Sequence, residues 1–372
     1  MNLKQLFGKK VMNMNVSASL TSNPKLYLVT GALGHLGNTL VRLLAGTGYR
    51  VRGLILPDDA SSALEDVNVE LFSGDIRDPD SMEAFFDLGS AGVGPADVVV
   101  MHTAGIVSIT SKYQQRVVDV NVRGTQNIVN ACLKAKVGRL VYTSSVHAFP
   151  ELIKGQTIIE IDGNALGAFS GKDVVGLYAK TKAMATRIVL DAIPQGLDAV
   201  IVHPSGIIGP GDFGNAHMTQ MILDYMQGRL TAYVRGGYDL VDVRDVAAGM
   251  LAAAERGRTG ESYILSNRYV EVKELMGLLR KISGHSRSLT LLPMFLARMT
   301  APLAEIWYRM LRQPPLFTRY SLYTLDSNSV FSHEKATIEL GYFPRPVEET
   351  LEDTIAWLRE QGRIQQAEGG KT

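Results

Sequence analysis

Leu26-Tyr27-Leu28-Val29-Thr30-Gly31-Ala32-Leu33-Gly34-His35-Leu36-Gly37 is the stretch on which the fold turns. A short apolar run ends in glycines, and Leu40, Val41 and Leu44 then recur at helical spacing between Asn38 and Ala45. An apolar strand feeding a helix through a glycine-rich turn suits a phosphate-bearing ligand. Glycines remove the Cβ atoms that would block close backbone approach, and a helix amino terminus offers free N–H groups and a positive dipole end. The spacing is G-x-x-G-x-x-G rather than G-x-G-x-x-G, so the repeat draws its meaning from its place between strand and helix.

Working outward, strand and helix signals alternate. Strands are expected at Tyr49–Leu56, Val69–Phe72, Asp97–His102, Arg139–Ser144, Asp198–His203 and Ser262–Leu265. Helices are expected over about Tyr113–Lys136 and Leu177–Ile193. The unbroken apolar run ending at His102 reads as a strand covered on both faces. This alternation predicts an α/β fold, a Rossmann-like, doubly wound parallel sheet of about seven strands. Such sheets bind ligands beyond the carboxyl ends of their strands. Residues 25–204, completed by about 239–266, form the dinucleotide-binding domain in this reading. Residues 205–238 and 267–360 form a smaller, mainly helical substrate lobe, with helices around Met218–Gln227, Val272–Ser283 and Pro293–Leu311. Residues 1–24 and 361–372 read as flexible ends.

Composition narrows the partners. Of 372 residues, 46% are hydrophobic and 20% charged, which is an ordinary globular balance. A net charge of +1 gives no broad field for nucleic acid. The long apolar stretch Leu291–Leu311 is broken by Arg298, Glu305 and Arg309, so no integral membrane segment is expected. Residues 1–23 lack the apolar core of a signal peptide. The single cysteine, Cys132, forms no internal disulfide, which suits a reducing cytoplasm.

The chemistry concentrates at Tyr178-Ala-Lys-Thr-Lys182, where a phenol and an ammonium lie four residues apart on one helix face. A free phenol has a pKa near ~10, and a nearby ammonium is expected to lower it towards useful acid/base range. Tyr269-Val-Glu-Val-Lys273 repeats the spacing, but no serine-bearing strand end precedes it, and it is expected to open an outer helix. Upstream of Tyr178 a strand ends in Thr143-Ser144-Ser145, where a hydroxyl can polarise a carbonyl. Side chains alternate along a strand, so one of the two serines faces the cleft and the residues alone leave open which. Asn121 is a candidate anchor for a water that feeds protons to Lys182. Asp75, beside Ile76, can accept from an adenine amino group, and Thr103-Ala104-Gly105 is small enough for a cofactor to lie flat. The second strand ends Gly53-Leu-Ile-Leu56 with neither the acid that favours NAD nor the arginine that favours NADP. The absence of a cation there leans the expectation towards NAD.

These motifs occur in an order that resembles the extended short-chain dehydrogenases/reductases, the NAD-dependent epimerase/dehydratase superfamily. The similarity is strongest to the dihydroflavonol reductase and 3β-hydroxysteroid dehydrogenase branch, and it covers about Lys25 to Leu358. His203-Pro-Ser-Gly-Ile-Ile-Gly-Pro-Gly211, Val241–Val246 and Glu339–Arg345 carry it downstream. The resemblance implies Tyr178, Lys182, Ser145 and Asn121 as the catalytic set. It implies a cofactor surface of Gly31, Gly34, His35, Leu36, Gly37, Asp75, Ile76, Thr103, Ala104, Gly105, Thr143, Tyr178, Lys182 and Pro204. Asp242 and Asp245 are expected to fix a loop. A homodimer through two long helices is compatible with the family.

Val146 and His147 stand where sugar-nucleotide dehydratases carry an acidic pair, which argues against elimination. The histidines show no metal-ligand spacing. His147, Phe149 and Phe213 are expected to line an apolar substrate cleft. The leading expectation is an NAD(P)-dependent ketone/alcohol oxidoreductase acting on a hydrophobic, steroid- or dihydroflavonol-like small molecule. A sugar-nucleotide epimerase is the alternative, with Arg229, Arg235 and Arg244 as candidates for holding a diphosphate. A dinucleotide-sensing protein without turnover is a remote third, since such proteins typically lose the tyrosine or the lysine.

Overall fold

Leu26–Thr30 (β1) is buried along its whole length and pairs in parallel with Arg50–Ile55 (β2) on one side and Val98–His102 (β4) on the other. The computed structural model describes residues 25–364 apart from 60, 90, 111, 162–168, 215, 285–288 and 302–317. Both terminal extensions, and most of the expected helix over Pro293–Leu311, lie outside the described residues; its start is helical over 294–301. Glu70–Ser73 (β3), Arg139–Thr143 (β5), Ala199–Pro204 (β6) and Ser262–Leu265 (β10) complete a seven-stranded parallel sheet in the order β10-β6-β5-β4-β1-β2-β3. The winding reverses at β1, so the carboxyl ends of β1 and β4 open a crevice between them.

His35–Gly46 (α1) begins earlier than its apolar spacing suggests, because Gly34 is already its N-cap. The expected helix after β4 is one rod in three pieces, Gln115–Val118, a π turn Asp119–Gly124 and Thr125–Ala135, together α2. The π turn carries Asn121. Leu177–Ala192 (α3) packs beside α2 on one face of the sheet, where Ile128, Val129, Cys132, Ala183 and Val189 share a core with Leu28, Val100 and Leu140. On the other face α1 packs against Val243–Arg256 (α5), joining Leu40, Val41 and Leu44 to Val246 and Met250. Alternate residues of one strand therefore feed opposite cores, as the period of two requires.

The smaller lobe is mainly helical, and it also carries two small sheets that its sequence does not announce. His217–Met226 (α4) and Val272–Ser283 (α6) form as expected, but Gly206–Ile208 (β7), Gly237–Asp242 (β9) and Arg268–Glu271 (β11) make a three-stranded sheet. Ala232–Tyr233 (β8) pairs with Thr290–Leu291 (β12). Tyr269 lies within β11, opposite Asp239, and does not open a helix. These strands are short and draw their hydrogen bonds from distant partners, which no local period reveals. The segment 294–301 (α7), Arg319–Asp326 (α8), Glu334–Leu340 (α9) and Val347–Glu360 (α10) close the lobe.

Asp242 caps α5 through Arg244 N–H at 2.8 Å and also grips the Arg244 guanidinium, which continues to Asp353 at 2.7 Å. Asp245 accepts from the backbone N–H of Arg345 at 2.7 Å and from its guanidinium at 2.8 Å. Both aspartates therefore tie the C-terminal chain to the sheet.

Candidate active site

The turn Gly31–Gly37 divides its glycines among three tasks. Gly31 holds φ +67°, and a Cβ there would lie 2.8 Å from Ala104 Cα, so β1 and β4 approach closely at their tips. A Cβ on Gly37 would collide with the Gly31 carbonyl, so Gly37 lets α1 seat on the turn. Gly34 meets only the Gly31 carbonyl, at 3.3 Å, and otherwise leaves the turn open. No side chain caps α1 and no acid stands in its first turn, so its dipole and its N–H groups are available to an anion.

The turn opens on a groove of about 830 Å³. Its walls include Gly31, Leu33, Gly34, Leu56, Asp59, Asp75, Ile76, Arg77, Ala104, Gly105, Arg116 and Phe213. These walls fit a dinucleotide: glycines at the phosphate end, small residues along β4, and a carboxylate at the end of β3. Asp75 is ion-paired with Arg77, which holds its carboxyl below the usual range. Leu56 is 37% exposed at the end of β2, on the groove wall. Arg52 lies on the far side of that strand, bound to Glu70 and to the Asp87 carbonyl at 2.7 Å, so it does not serve the groove.

Not every expected cofactor contact is a side-chain contact. The His35 ring turns to the lobe, with Nε2 3.1 Å from the Pro210 carbonyl, and Leu36 is buried in the core. Thr103 Oγ1 donates to the Thr30 carbonyl at 2.6 Å, knitting the tips of β1 and β4 together. Ile76 fills the space beside Gly124 on α2. Pro204 ends β6 opposite Leu265.

Beyond Gly105 the groove meets α3. Lys182 Nζ donates to the Thr143 carbonyl at 2.7 Å and lies 5.2 Å from the centroid of the Tyr142 ring. A Cβ on Gly105 would sit 3.5 Å from Lys182 Nζ and 3.3 Å from Asn121 Oδ1, so Gly105 keeps open the space between cofactor groove and lysine. Tyr178, one turn earlier, has the Ser145 hydroxyl beside it, which works to lower its pKa. Ser145 Oγ also accepts the His147 N–H at 3.2 Å, which leaves its own proton to donate. Ser144 faces the opposite way, with Oγ 2.7 Å from Thr186 Oγ1. The choice left open by strand alternation is thus decided: Ser145 stands beside Tyr178.

Burial lowers the Lys182 pKa to about 8 and raises that of Tyr178, against a smaller lowering by the neighbouring Ser145 hydroxyl. In the protein alone the phenol is therefore raised and not lowered, because desolvation of a buried phenolate outweighs the contribution of Ser145. Asn121 is taken up by the backbone: Oδ1 accepts from Ile106 N–H at 2.8 Å, while Nδ2 donates to the Ile106 carbonyl at 3.0 Å and to Thr181 Oγ1 at 3.0 Å. It pins the loop after β4 to α3 instead of presenting a free amide to water.

Of the three expected substrate contacts, His147 and Phe149 border one small cavity and Phe213 lies elsewhere. His147 stays at the site, its ring edge-on to Tyr178 at 6.2 Å. Phe149 is a core residue, 3% exposed and packed on His203 at 4.4 Å, because the chain after Ser145 turns inward. Phe213 stands on Trp357 at 5.4 Å and borders the groove near Gly34 and Leu56, not the region of Tyr178. Sequence reasoning gave no role to the His203 side chain, whose Nδ1 binds the Ser145 carbonyl at 3.1 Å. It also missed Tyr320, whose ring fills the space above Gly176 at the start of α3. Nothing local marks Tyr320; the contact spans more than a hundred residues.

Among the described residues no helix is long and apolar enough to cross a membrane. The NAD dependent epimerase/dehydratase family model matches residues 27–266. A sterol demethylase protein B of Methylococcus capsulatus is 34% identical over 91% of this chain and 99% of its own length. A putative dihydroflavonol 4-reductase of Synechocystis is 30% identical over 91% of this chain and 96% of its own. In fold, the chain is similar to the crystal structure of a nucleoside-diphosphate-sugar epimerase from Pseudomonas aeruginosa, with a TM-score of 0.72 and 23% identity over 91% of this chain and 99% of that one. With its open glycine turn, its groove and its paired tyrosine and lysine, the chain belongs to the NAD dependent epimerase/dehydratase family and is an NAD(P)-dependent enzyme.

Proposed function

We propose that the protein interconverts a ketone and a secondary alcohol on a hydrophobic small molecule, with Tyr178 as the acid/base. The observation that carries this reading is the placing of Ser145 beside Tyr178, one helical turn from Lys182. When bound, the nicotinamide supplies or accepts the hydride. Ser145, its lone pair engaged by His147 N–H, donates to the substrate oxygen and orients the carbonyl. Tyr178 gives that oxygen its proton in reduction and removes it in oxidation. Lys182, anchored on Thr143, offers positive charge to the phenolate and donors to the cofactor ribose. Gly31 and Gly34, with the amino terminus of α1, would hold the pyrophosphate, and Asp75 would serve the adenine end.

The names of the sterol and dihydroflavonol relatives point to apolar ring ketones and alcohols. An epimerase needs cations for a nucleotide diphosphate, yet of the three candidate arginines Arg244 is buried between Asp242 and Asp353 and Arg229 is taken by Asp224, which leaves the exposed Arg235 without a second cation from that set. The buried single cysteine suits a reducing cytoplasm, and α2 with α3 offers a helical face for a homodimer. The test follows reduced-cofactor absorbance with NADH and NADPH across hydrophobic ketones and nucleotide sugars. Oxidation with a ketone, lost by about 10³-fold in Tyr178→Phe while cofactor binding persists, is the expected result. Sugar interconversion without net oxidation, or an active Tyr178→Phe, overturns the reading.

A further inference from the structure

The hydrogen-bonded ladder between β5 and β6 ends where the Ser144 N–H meets the Val202 carbonyl at 2.8 Å. Ser145, the next residue, is extended at φ −162° and ψ 153° and leaves the sheet for the tight turn Val146–Ala148. Past that point a side chain makes the tie to β6. His203 Nδ1 lies 3.1 Å from the Ser145 carbonyl, which also accepts the Ala148 N–H of the turn at 3.0 Å.

The His203 ring is wholly buried, 4.4 Å from the centroid of Phe149 and stacked on Phe169 at 5.8 Å. A carbonyl oxygen has no proton to give, so Nδ1 carries the ring proton and donates. The ring is thus the neutral Nδ1–H tautomer, and Nε2 is a bare acceptor. Among the described residues Nε2 finds no hydrogen-bond partner. An apolar side chain would sit among these aromatic rings without burying an unmet acceptor, so the Nδ1 bond is what distinguishes histidine here. Ser145 Oγ takes the His147 N–H at 3.2 Å within the same turn, so turn and hydroxyl move together.

We propose that His203 is the positioning residue for Ser145: its Nδ1–H anchors the turn to β6 where the strand ladder stops, and so holds the Ser145 hydroxyl in place for the substrate oxygen. The assignment rests on the oxidoreductase reading and adds to it a residue that acts through the main chain. A shift of ~1 Å caused by a substitution away from the chemistry can cost ~10²-fold in rate, so a lost anchor is read in kcat.

The experiment measures kcat, KM and cofactor affinity for His203→Leu and His203→Asn, each in wild type and in Ser145→Ala. Leucine removes the donor, whereas the short amide of asparagine keeps an N–H close to the place of Nδ1. His203→Leu should lower kcat by about 10-fold with KM and cofactor affinity within about twofold, and His203→Asn should restore most of that loss. In Ser145→Ala, with no hydroxyl left to position, His203→Leu should cost less than about twofold. Equal losses for leucine and asparagine, or a full loss in the Ser145→Ala background, overturn the proposal. A second measurement needs neither turnover nor a variant: nitrogen NMR of the wild type with isotope-labelled histidine at neutral pH, His203 being assigned through its contacts with Phe149 and Phe169. A protonated Nδ1 beside a bare Nε2 supports the anchor, and a protonated Nε2 overturns it. If the wild type reduces no ketone, the oxidoreductase reading fails, and the Nδ1–H tautomer still supports the tie to Ser145.

Discussion

Lys182 donates from Nζ to the main-chain carbonyl of Thr143 at 2.7 Å, so the ammonium of α3 is clamped to the tip of β5 before any ligand arrives. The clamp does not replace the water that burial removes, and the lysine pKa falls to about 8 from an ordinary value of 10.5. Between those two values the unfolded chain binds the proton and the folded chain does not. The lysine's contribution to stability therefore rises with pH across that window. Urea unfolding of wild type and Lys182→Met at pH 7.5, 9 and 10 should show the difference in stability moving in favour of wild type as pH rises. A constant difference would falsify the depressed lysine.

The two serines after β5 should separate cleanly by function. Ser145→Ala removes the hydroxyl beside Tyr178 and should lower kcat by about 10²-fold with cofactor affinity retained. Ser144→Ala loses only the buried bond to Thr186 and should cost about 1 kcal/mol of stability with kcat nearly unchanged. Steady-state kinetics beside denaturant titration decides it; a kcat loss confined to Ser144→Ala reverses the assignment.

Cofactor choice should respond to one groove residue. Leu56 ends β2 on the groove wall, where an arginine can meet a 2′-phosphate, and Arg52 faces away. Leu56→Arg should tighten NADPH binding relative to NADH by about 10-fold, read by fluorescence titration of each cofactor. An unchanged ratio means the adenine ribose lies elsewhere.

Acid should unfold the protein through two buried histidines. Burial drops the His102 and His203 pKa values to about 3, against an ordinary 6.5. As pH falls through 6.5 the unfolded chain gains protons that the native state refuses until about 3, so stability is lost across that window. Each group contributes up to ~1.4 kcal/mol per pH unit there. His203→Gln should flatten the acid side of the Tm profile. A slope as steep as that of wild type shows that His203 titrates normally.

Much of this protein was legible in its sequence. The strand–glycine–helix run at Leu26–Gly46 sets the parallel sheet, because periodicity and turn chemistry act over a few residues and are written locally. The same holds for α3, where a four-residue spacing places Tyr178 and Lys182 on one face. Tertiary structure alone decided that Ser144 turns to Thr186, that Asn121 is spent on the backbone of Ile106, that Phe149 is core, and that Tyr320 arrives over Gly176. It also set the direction of the tyrosine pKa, since burial is a property of everything packed around a group. The small lobe sheets escaped for the same reason: β7, β9 and β11 take their hydrogen bonds from strands far away in the chain, and no local pattern encodes a distant partner.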